Sequence, residues 1–214
     1  MSQREAVGVL ISGGGTNLQA LIDAAQDPAY PAEIVVVISN REEAGGLERA
    51  RRAGIPAVWI PHRDKTRAAF DEELLGALQE HGCRWVALAG FMRILTPVFL
   101  DAFPGHVLNI HPALLPSFPG VRGQKQAFDA GVQIAGATVH LVDAGTDTGP
   151  IVAQGAVPRL DGDTLDEFQA RILAVEHQLY PMVLRWAVEG RIQVKGDAVQ
   201  VDLRPGERRW IWGA

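Results

Sequence analysis

Short apolar runs alternate with helix-length segments through the first half of this chain. Ala6-Val-Gly-Val-Leu-Ile11, Glu33-Ile-Val-Val-Val-Ile38, Ala57-Val-Trp-Ile60 and Arg84-Trp-Val-Ala-Leu-Ala89 read as strands. Thr16–Ala25, Glu43–Ala53 and Arg67–His81 read as the helices between them. Strands that are apolar without alternation have both faces covered, which is the mark of a parallel sheet. Parallel neighbours need crossover connections, and the intervening helices supply them. The expectation is an α/β fold, with a doubly wound, mostly parallel sheet of Rossmann-like type. Ligands in such a fold bind beyond the carboxyl ends of the strands.

The second half changes character. His106-Val-Leu-Asn-Ile110 is a further strand, followed by a proline-rich loop. Gln133–Val142 and Ile151–Val157 read as longer, more exposed strands, so antiparallel additions are expected. One long helix spans about Thr164–Val188, with Leu165, Phe168, Ile172, Val175, Leu179 and Val183 at helical spacing. Thr164-Leu-Asp-Glu167 is a capping box, in which the threonine and glutamate side chains each take a free backbone N–H. Pro181 should kink this helix or end it early. Arg191–Val194 and Ala198–Val201, joined by Lys195-Gly-Asp, read as a C-terminal hairpin. A single domain over 1–214 is expected. Its parts are a phosphate-binding βαβ half (about 1–110), a second half carrying the catalytic groups (about 111–190) and the hairpin (about 191–214).

Composition narrows the function. The 214 residues include one cysteine, Cys83, so no internal disulfide framework exists, and Cys83 reads as a small buried hydrophobe. The formal charge of −5 argues against holding nucleic acid or an anionic membrane by bulk charge. The early apolar run Ala6–Ile11 is too short for a signal sequence or a membrane span, so a cytoplasmic protein is expected. An anion bound by such a chain must be held by local groups.

Ser12-Gly-Gly-Gly-Thr-Asn17, between the first strand and first helix, offers such groups. Its glycines let backbone N–H groups approach an anion at the positive end of a helix. Thr16 or Asn17 is placed to cap that helix. No lysine follows Gly15, which excludes a Walker A loop, and Leu18 stands where a dinucleotide fingerprint needs its third glycine. The competing reading is a turn that serves only close helix–strand packing.

Asn109-Ile-His111 ends the fifth strand, and positions 109 and 111 face the same side. An amide and an imidazole projecting together from a strand end suit a reaction through an oxyanion. An aspartate beside the histidine would favour the imidazolium. Spacing leaves two choices, Asp143 and Asp147, both in Asp143-Ala-Gly-Thr-Asp147-Thr-Gly-Pro150. The plainer readings are backbone capping by Asn109 and His111, and a run of Asx turns in the aspartate loop.

No histidine pair has metal-ligand spacing and no thiolate cluster exists, so no metal is expected. No Gly-x-Ser-x-Gly elbow supports a serine nucleophile. Glu176, next to Ile172 and Val175 on the long helix, borders the buried stripe and is placed to receive an ammonium group. The tryptophans at 59, 85, 186, 210 and 212 read as core and edge packing rather than as a base-stacking platform.

At these residues a resemblance becomes close. The chain resembles the phosphoribosylglycinamide formyltransferases, the folate-dependent transformylases of purine synthesis, from about Gly8 to Pro181. The motifs run in order: Ile11–Gln19, Gly46-Leu-Glu-Arg-Ala50, Leu88-Ala-Gly-Phe-Met-Arg-Ile-Leu95, Asn109-Ile-His-Pro-Ala-Leu-Leu-Pro116 and Asp147-x-Gly-Pro150. The resemblance implies transfer of a formyl group from 10-formyltetrahydrofolate, as cosubstrate, to the glycyl amine of glycinamide ribonucleotide (GAR). It implies no metal, no nucleic-acid or membrane partner, and a monomer or homodimer.

The resemblance also implies residue roles. Gly15, Thr16 and Asn17 hold the ribonucleotide phosphate, and Glu176 binds the glycinamide end. Arg67, Met92, Arg93, Ile94, Leu95, Asn109, Val142, Asp143 and Asp147 contact the folate. Asn109, His111 and Asp147 form the catalytic set, which favours Asp147 over Asp143. One departure stands out: where the family often has a histidine after the proline-rich loop, this chain reads Arg122-Gly-Gln-Lys-Gln126, expected as a solvated basic turn. Hydrolysis of 10-formyltetrahydrofolate and a non-catalytic binding module are the rival expectations. The early first strand leaves no expected room for a regulatory domain of the hydrolase kind.

Overall fold

The computed structural model describes residues 4–196 and 198–213. Asp197, in the expected turn of the C-terminal hairpin, and the extreme ends of the expected 1–214 domain lie outside them. Internal contacts divide the chain into two compact units, Met1–Asn109 and Ile110–Ala214.

The first unit holds β1 (Glu5–Ile11), α1 (Thr16–Ala25), β2 (Ala32–Ser39), α2 (Gly45–Arg52), β3 (Ala57–Trp59), α3 (Arg67–Glu80), β4 (Trp85–Leu88), α4 (Pro97–Ala102) and the start of β5 (Val107–His111). Every pairing here is parallel, in the order β3-β2-β1-β4-β5. Val7, Val9, Leu10, Ile11, Val36, Val37, Ile38, Val86 and Ala87 are fully buried, as strands covered on both faces require. The chain winds outward from β1 to β3, then returns to the other side of β1 as β4. That reversal is a switch point, the place beyond the carboxyl ends of the strands where open α/β sheets bind their ligands. Thr66 caps α3 by accepting the Ala69 N–H at 3.2 Å. The six-residue α4 carries no amphipathic period long enough to read in sequence, and was not expected.

The second unit holds α5 (Gly123–Asp129), β6 (Ile134–Leu141), β7 (Ile151–Pro158), α6 (Leu165–Val188), β8 (Ile192–Lys195), β9 (Ala198–Val201) and β10 (Trp210–Trp212). β6 and β7 pair antiparallel, and β10 joins the far side of β7 in parallel. β8 and β9 form the expected hairpin. The expectation of exposed strands fails for β6, which is buried from Ala135 onward. The reason is α6, which packs on both β6 and β7. It comes so close that a Cβ on Gly155 of β7 would stand 2.0 Å from Val175 Cγ1.

The capping box at Thr164 forms as expected: the hydroxyl accepts Glu167 N–H at 3.3 Å and Glu167 Oε2 accepts Thr164 N–H at 2.9 Å. Pro181 does not end α6, which runs on to Val188. A mid-helix proline costs about 3 kcal/mol. Beyond it Val183, Leu184, Trp186 and Ala187 are buried, and each large apolar side chain returns about 1.5–3 kcal/mol. The sum favours continuing the helix. Arg122–Gln126 is not a basic turn: Arg122 is the left-handed residue before α5, and Lys125 pairs with Asp129 one turn on. The tryptophans divide as expected between core and edge. Trp85 and Trp186 are buried, while Trp59, Trp210 and Trp212 lie exposed on β3 and β10.

Candidate active site

In the first unit the Ser12–Asn17 loop leaves β1 and enters α1. Gly15, not Thr16 or Asn17, is the capping residue, with φ +73°, and no side chain caps the helix there. This corrects the expected cap. A left-handed turn costs glycine least, and a side chain at Gly15 would also collide: its Cβ would stand 2.7 Å from Gly46 Cα. The loop is turned by its carbonyls. Gly46 N–H donates to Gly13 O at 3.1 Å, and Arg49 Nε donates to Gly14 O at 2.8 Å. In a trans peptide the next N–H points opposite to the carbonyl. The N–H groups of Gly14 and Gly15 therefore point away from α2, on the same loop as the open end of α1. Such donors at a helix N-terminus suit a phosphate.

After β4, Phe91–Thr96 has no regular structure. Met92 is 61% and Ile94 47% exposed, while Leu95 is buried. The guanidinium of Arg93 lies over the Phe70 ring, 4.8 Å from its centre, and Phe91 stacks on the same ring system at 6.4 Å. Arg67 is exposed at the first position of α3. Asn109, half-buried, pairs with Leu88 across β5 and β4.

In the second unit His111 ends β5 and is buried. Its Nδ1 lies 3.3 Å from Asp147 Oδ2, and its Nε2 lies 2.8 Å from the Phe118 carbonyl. Both nitrogens thus face acceptors. A neutral imidazole has one N–H, so only the imidazolium satisfies both. The same Asp147 oxygen accepts the Gly120 N–H at 2.7 Å, and the other oxygen stands 3.7 Å from His140 Nε2. Burial alone would raise the Asp147 carboxyl. The hydrogen bonds from His140 and Gly120, with the charges of His111 and His140, outweigh it and hold the carboxyl below the usual carboxylate range.

Asp143 makes a different structure. Its Oδ1 accepts from Gly145 N–H at 3.0 Å and from the Thr148 hydroxyl at 2.7 Å, an Asx turn that shapes the loop. Spacing left the two aspartates open, and the contacts bring Asp147 to His111. Val142 is half-buried and Asp143 exposed. Glu176 is buried on α6, with Gln124 Nε2 of α5 at 3.5 Å. Among the described residues no group of three or more His, Cys, Asp or Glu is placed to hold a metal ion.

His140 was not expected in this cluster. Its position in a strand carried no chemical signal beyond being a histidine. The strand pairing supplies the reason: Val139 faces Ala153 and His140 faces Ile151, so Val152 is an extra residue in β7. Such bulges re-aim a neighbouring side chain. The backbone is tight here as well. Phe118 and Asp147 are two of four non-glycine residues with φ between +55° and +62° among the described residues. Each holds a conformation that costs about 1 kcal/mol or more, of the kind that gathers at functional sites.

Comparison with known proteins follows the same line. Residues 5–184 match the formyl transferase family model. The phosphoribosylglycinamide formyltransferase of Escherichia coli K12 is 42% identical over 91% of this chain and 92% of its own length. The trifunctional purine biosynthetic protein adenosine-3 of Drosophila pseudoobscura is 49% identical over 89% of this chain. The chain spans only 14% of the length of that larger relative. Among solved structures, glycinamide ribonucleotide transformylase 1 of Symbiobacterium toebii superposes with a TM-score of 0.91 at 48% identity, covering 94% of this chain and 95% of its own.

Proposed function

Because the chain belongs to the formyl transferase family, among its phosphoribosylglycinamide formyltransferases, we propose that it carries the formyl group of 10-formyltetrahydrofolate to the glycyl amine of GAR. The product is the formylated ribonucleotide of purine synthesis and free tetrahydrofolate. The neutral amine attacks the formyl carbon, and the carbonyl oxygen becomes an oxyanion. Asn109 and Nε2–H of His111, which must turn from the Phe118 carbonyl to the reacting group, donate to that oxygen, and such donors favour the charged intermediate. The intermediate collapses with breakage of the carbon–N10 bond. The attacking nitrogen loses a proton and N10 gains one.

The observation that carries this reading is the pairing of His111 with Asp147 at 3.3 Å while Nε2 faces a carbonyl, an arrangement that favours a charged donor. Asp147 has the role of keeping His111 protonated. Gly15, Thr16 and Asn17 take the phosphate and Glu176 the glycinamide end. Arg67, Met92, Arg93, Ile94, Leu95, Val142 and Asp143 take the folate. The whole chain acts as one catalytic domain, cytoplasmic, as a monomer or homodimer, on small molecules alone.

Absorbance of released tetrahydrofolate tests the reading. Release that depends on GAR is expected. Release without it would mean hydrolysis instead, and folate binding with no release at all would mean a binding protein.

A further inference from the structure

We propose that Ser12 and Asp71 are positioning residues that hold the segment Met92–Leu95 from its two ends, shaping the surface it offers to the folate. The inference rests on the assignment of that segment to folate contact under the proposed function. What it adds is how an irregular stretch of chain is kept in one shape.

The segment lies between β4 and α4 and has neither ladder nor helix to satisfy its backbone. Two buried side chains do so at its boundaries. Met92 N–H donates to Ser12 Oγ at 2.9 Å, and Thr96 N–H donates to Asp71 Oδ2 at 2.6 Å. Ser12 is 3% and Asp71 1% exposed, so water does not compete at either end. Ser12 is itself fixed. Its hydroxyl donates to Asn40 Oδ1 at 2.6 Å, which leaves its lone pairs for Met92. Asn40 in turn accepts at its backbone carbonyl from His62 Nδ1 at 2.8 Å.

Between the two ends a third contact falls on the same helix as Asp71. Phe70 is fully buried in α3, and its ring lies under the Arg93 guanidinium. Adjacent residues of α3 thus support the segment at Arg93 and at Thr96. Ser12 supports it from across the switch point, since it follows β1 while the segment follows β4. The result is a stretch whose Met92 and Ile94 side chains stand largely exposed while its backbone is tied down. An apolar surface fixed in advance binds a flat ring without first losing the freedom of a mobile loop. Loss of a hold should therefore weaken folate binding and leave the chemical step almost unchanged.

The test compares Asp71→Ala, Asp71→Asn and Ser12→Ala with Met92→Ala and Ile94→Ala. The readouts are the Kd of tetrahydrofolate alone, the KM of each substrate, and kcat. Asp71→Ala and Ser12→Ala are expected to raise the tetrahydrofolate Kd about three- to tenfold, the range of one lost ordering contact. For Asp71→Ala, kcat and the GAR KM should stay within about twofold. Asp71→Asn keeps an acceptor oxygen for Thr96 and should restore the Kd to within about twofold of the unaltered protein.

If Met92→Ala and Ile94→Ala weaken tetrahydrofolate but neither Asp71→Ala nor Ser12→Ala does, the positioning role is overturned and the folate assignment stands. If Met92→Ala and Ile94→Ala leave the Kd unchanged, the folate assignment itself fails. A loss of kcat in proportion to the folded fraction, with the Kd of the folded remainder unchanged, would mark Asp71 as merely structural and overturn its role. If Asp71→Ala does not fold, Ser12→Ala decides by the same tetrahydrofolate Kd.

Discussion

Oδ2 of Asp147 lies 3.3 Å from Nδ1 of His111, and Nε2 of the same ring faces a backbone carbonyl. Nδ1–H of the ring thus has a fixed acceptor, and the consequence of removing that acceptor's charge is the quantity to measure.

Asp147→Asn isolates that charge, because asparagine tolerates the left-handed backbone found at this position. With the negative charge gone, the imidazolium loses its partner. kcat should fall about 10²- to 10³-fold, the usual size for a lost electrostatic donor. An unchanged kcat would remove the proposed role.

The same variant has an acid-side consequence. The Asp147 carboxyl is held below its ordinary range in the folded protein. Its contribution to stability is therefore complete above about pH 4, the unfolded carboxyl value, and is lost as pH falls through the lower folded value. Denaturant midpoints of the wild type and Asp147→Asn should draw together as pH drops below about 4. A gap that stays constant with pH would contradict this.

Gly15→Ala tests the phosphate loop. The left-handed backbone costs alanine about 1–2 kcal/mol. The new Cβ, 2.7 Å from Gly46 Cα, meets backbone that cannot swing aside. A loss of about 2–4 kcal/mol in all is expected, combining strain and overpacking. Urea unfolding measures it. The GAR KM should rise more than the folate KM.

Cys83 should resist modification. Cys83 is half-buried rather than the buried hydrophobe expected, and this partial burial pushes its thiol up to about 12, against a smaller opposing pull from a backbone hydrogen bond. Little thiolate exists at pH 8, so an aromatic disulfide reagent should label the folded protein far more slowly than the protein in denaturant. Equal rates would contradict the raised thiol.

Thr164→Ala removes the hydroxyl half of the capping box at the head of α6. A loss of about 1 kcal/mol is expected, read as a lower denaturant midpoint with activity unchanged.

Long elements with a strong period were legible in the sequence. β1, α1, β2, α3 and α6 fall within a residue or two of where apolar spacing puts them. The short α4 and α5, and the three-residue β10, were not, because so few residues show no period and their pairing depends on distant chain. Pro181 misled for a related reason: local propensity argued for an end, while buried contacts on its far side carry the helix on. In the candidate site, Asn109 and His111 drew attention because strand alternation puts them on one face. His140 could not be read, since it reaches Asp147 beside the bulge at Val152, which the sequence does not show. Nor could Ser12 and Asp71, whose partners are backbone groups far along the chain.

The contact of Gly15 with Gly46 means that the proposed phosphate loop is not a portable peptide. The first turn of α2 sits so close that a Cβ on Gly46 would stand 3.3 Å from Gly15 Cα and 2.4 Å from Ile11 Cδ1. The cradle is one object made from two stretches of chain, each needing the other's missing side chain. Grafting Ser12–Asn17 into another scaffold would carry the glycines but not the surface that turns their carbonyls aside. A search for this loop in other sequences is more selective when it asks for both glycines, with Arg49 three positions after the second.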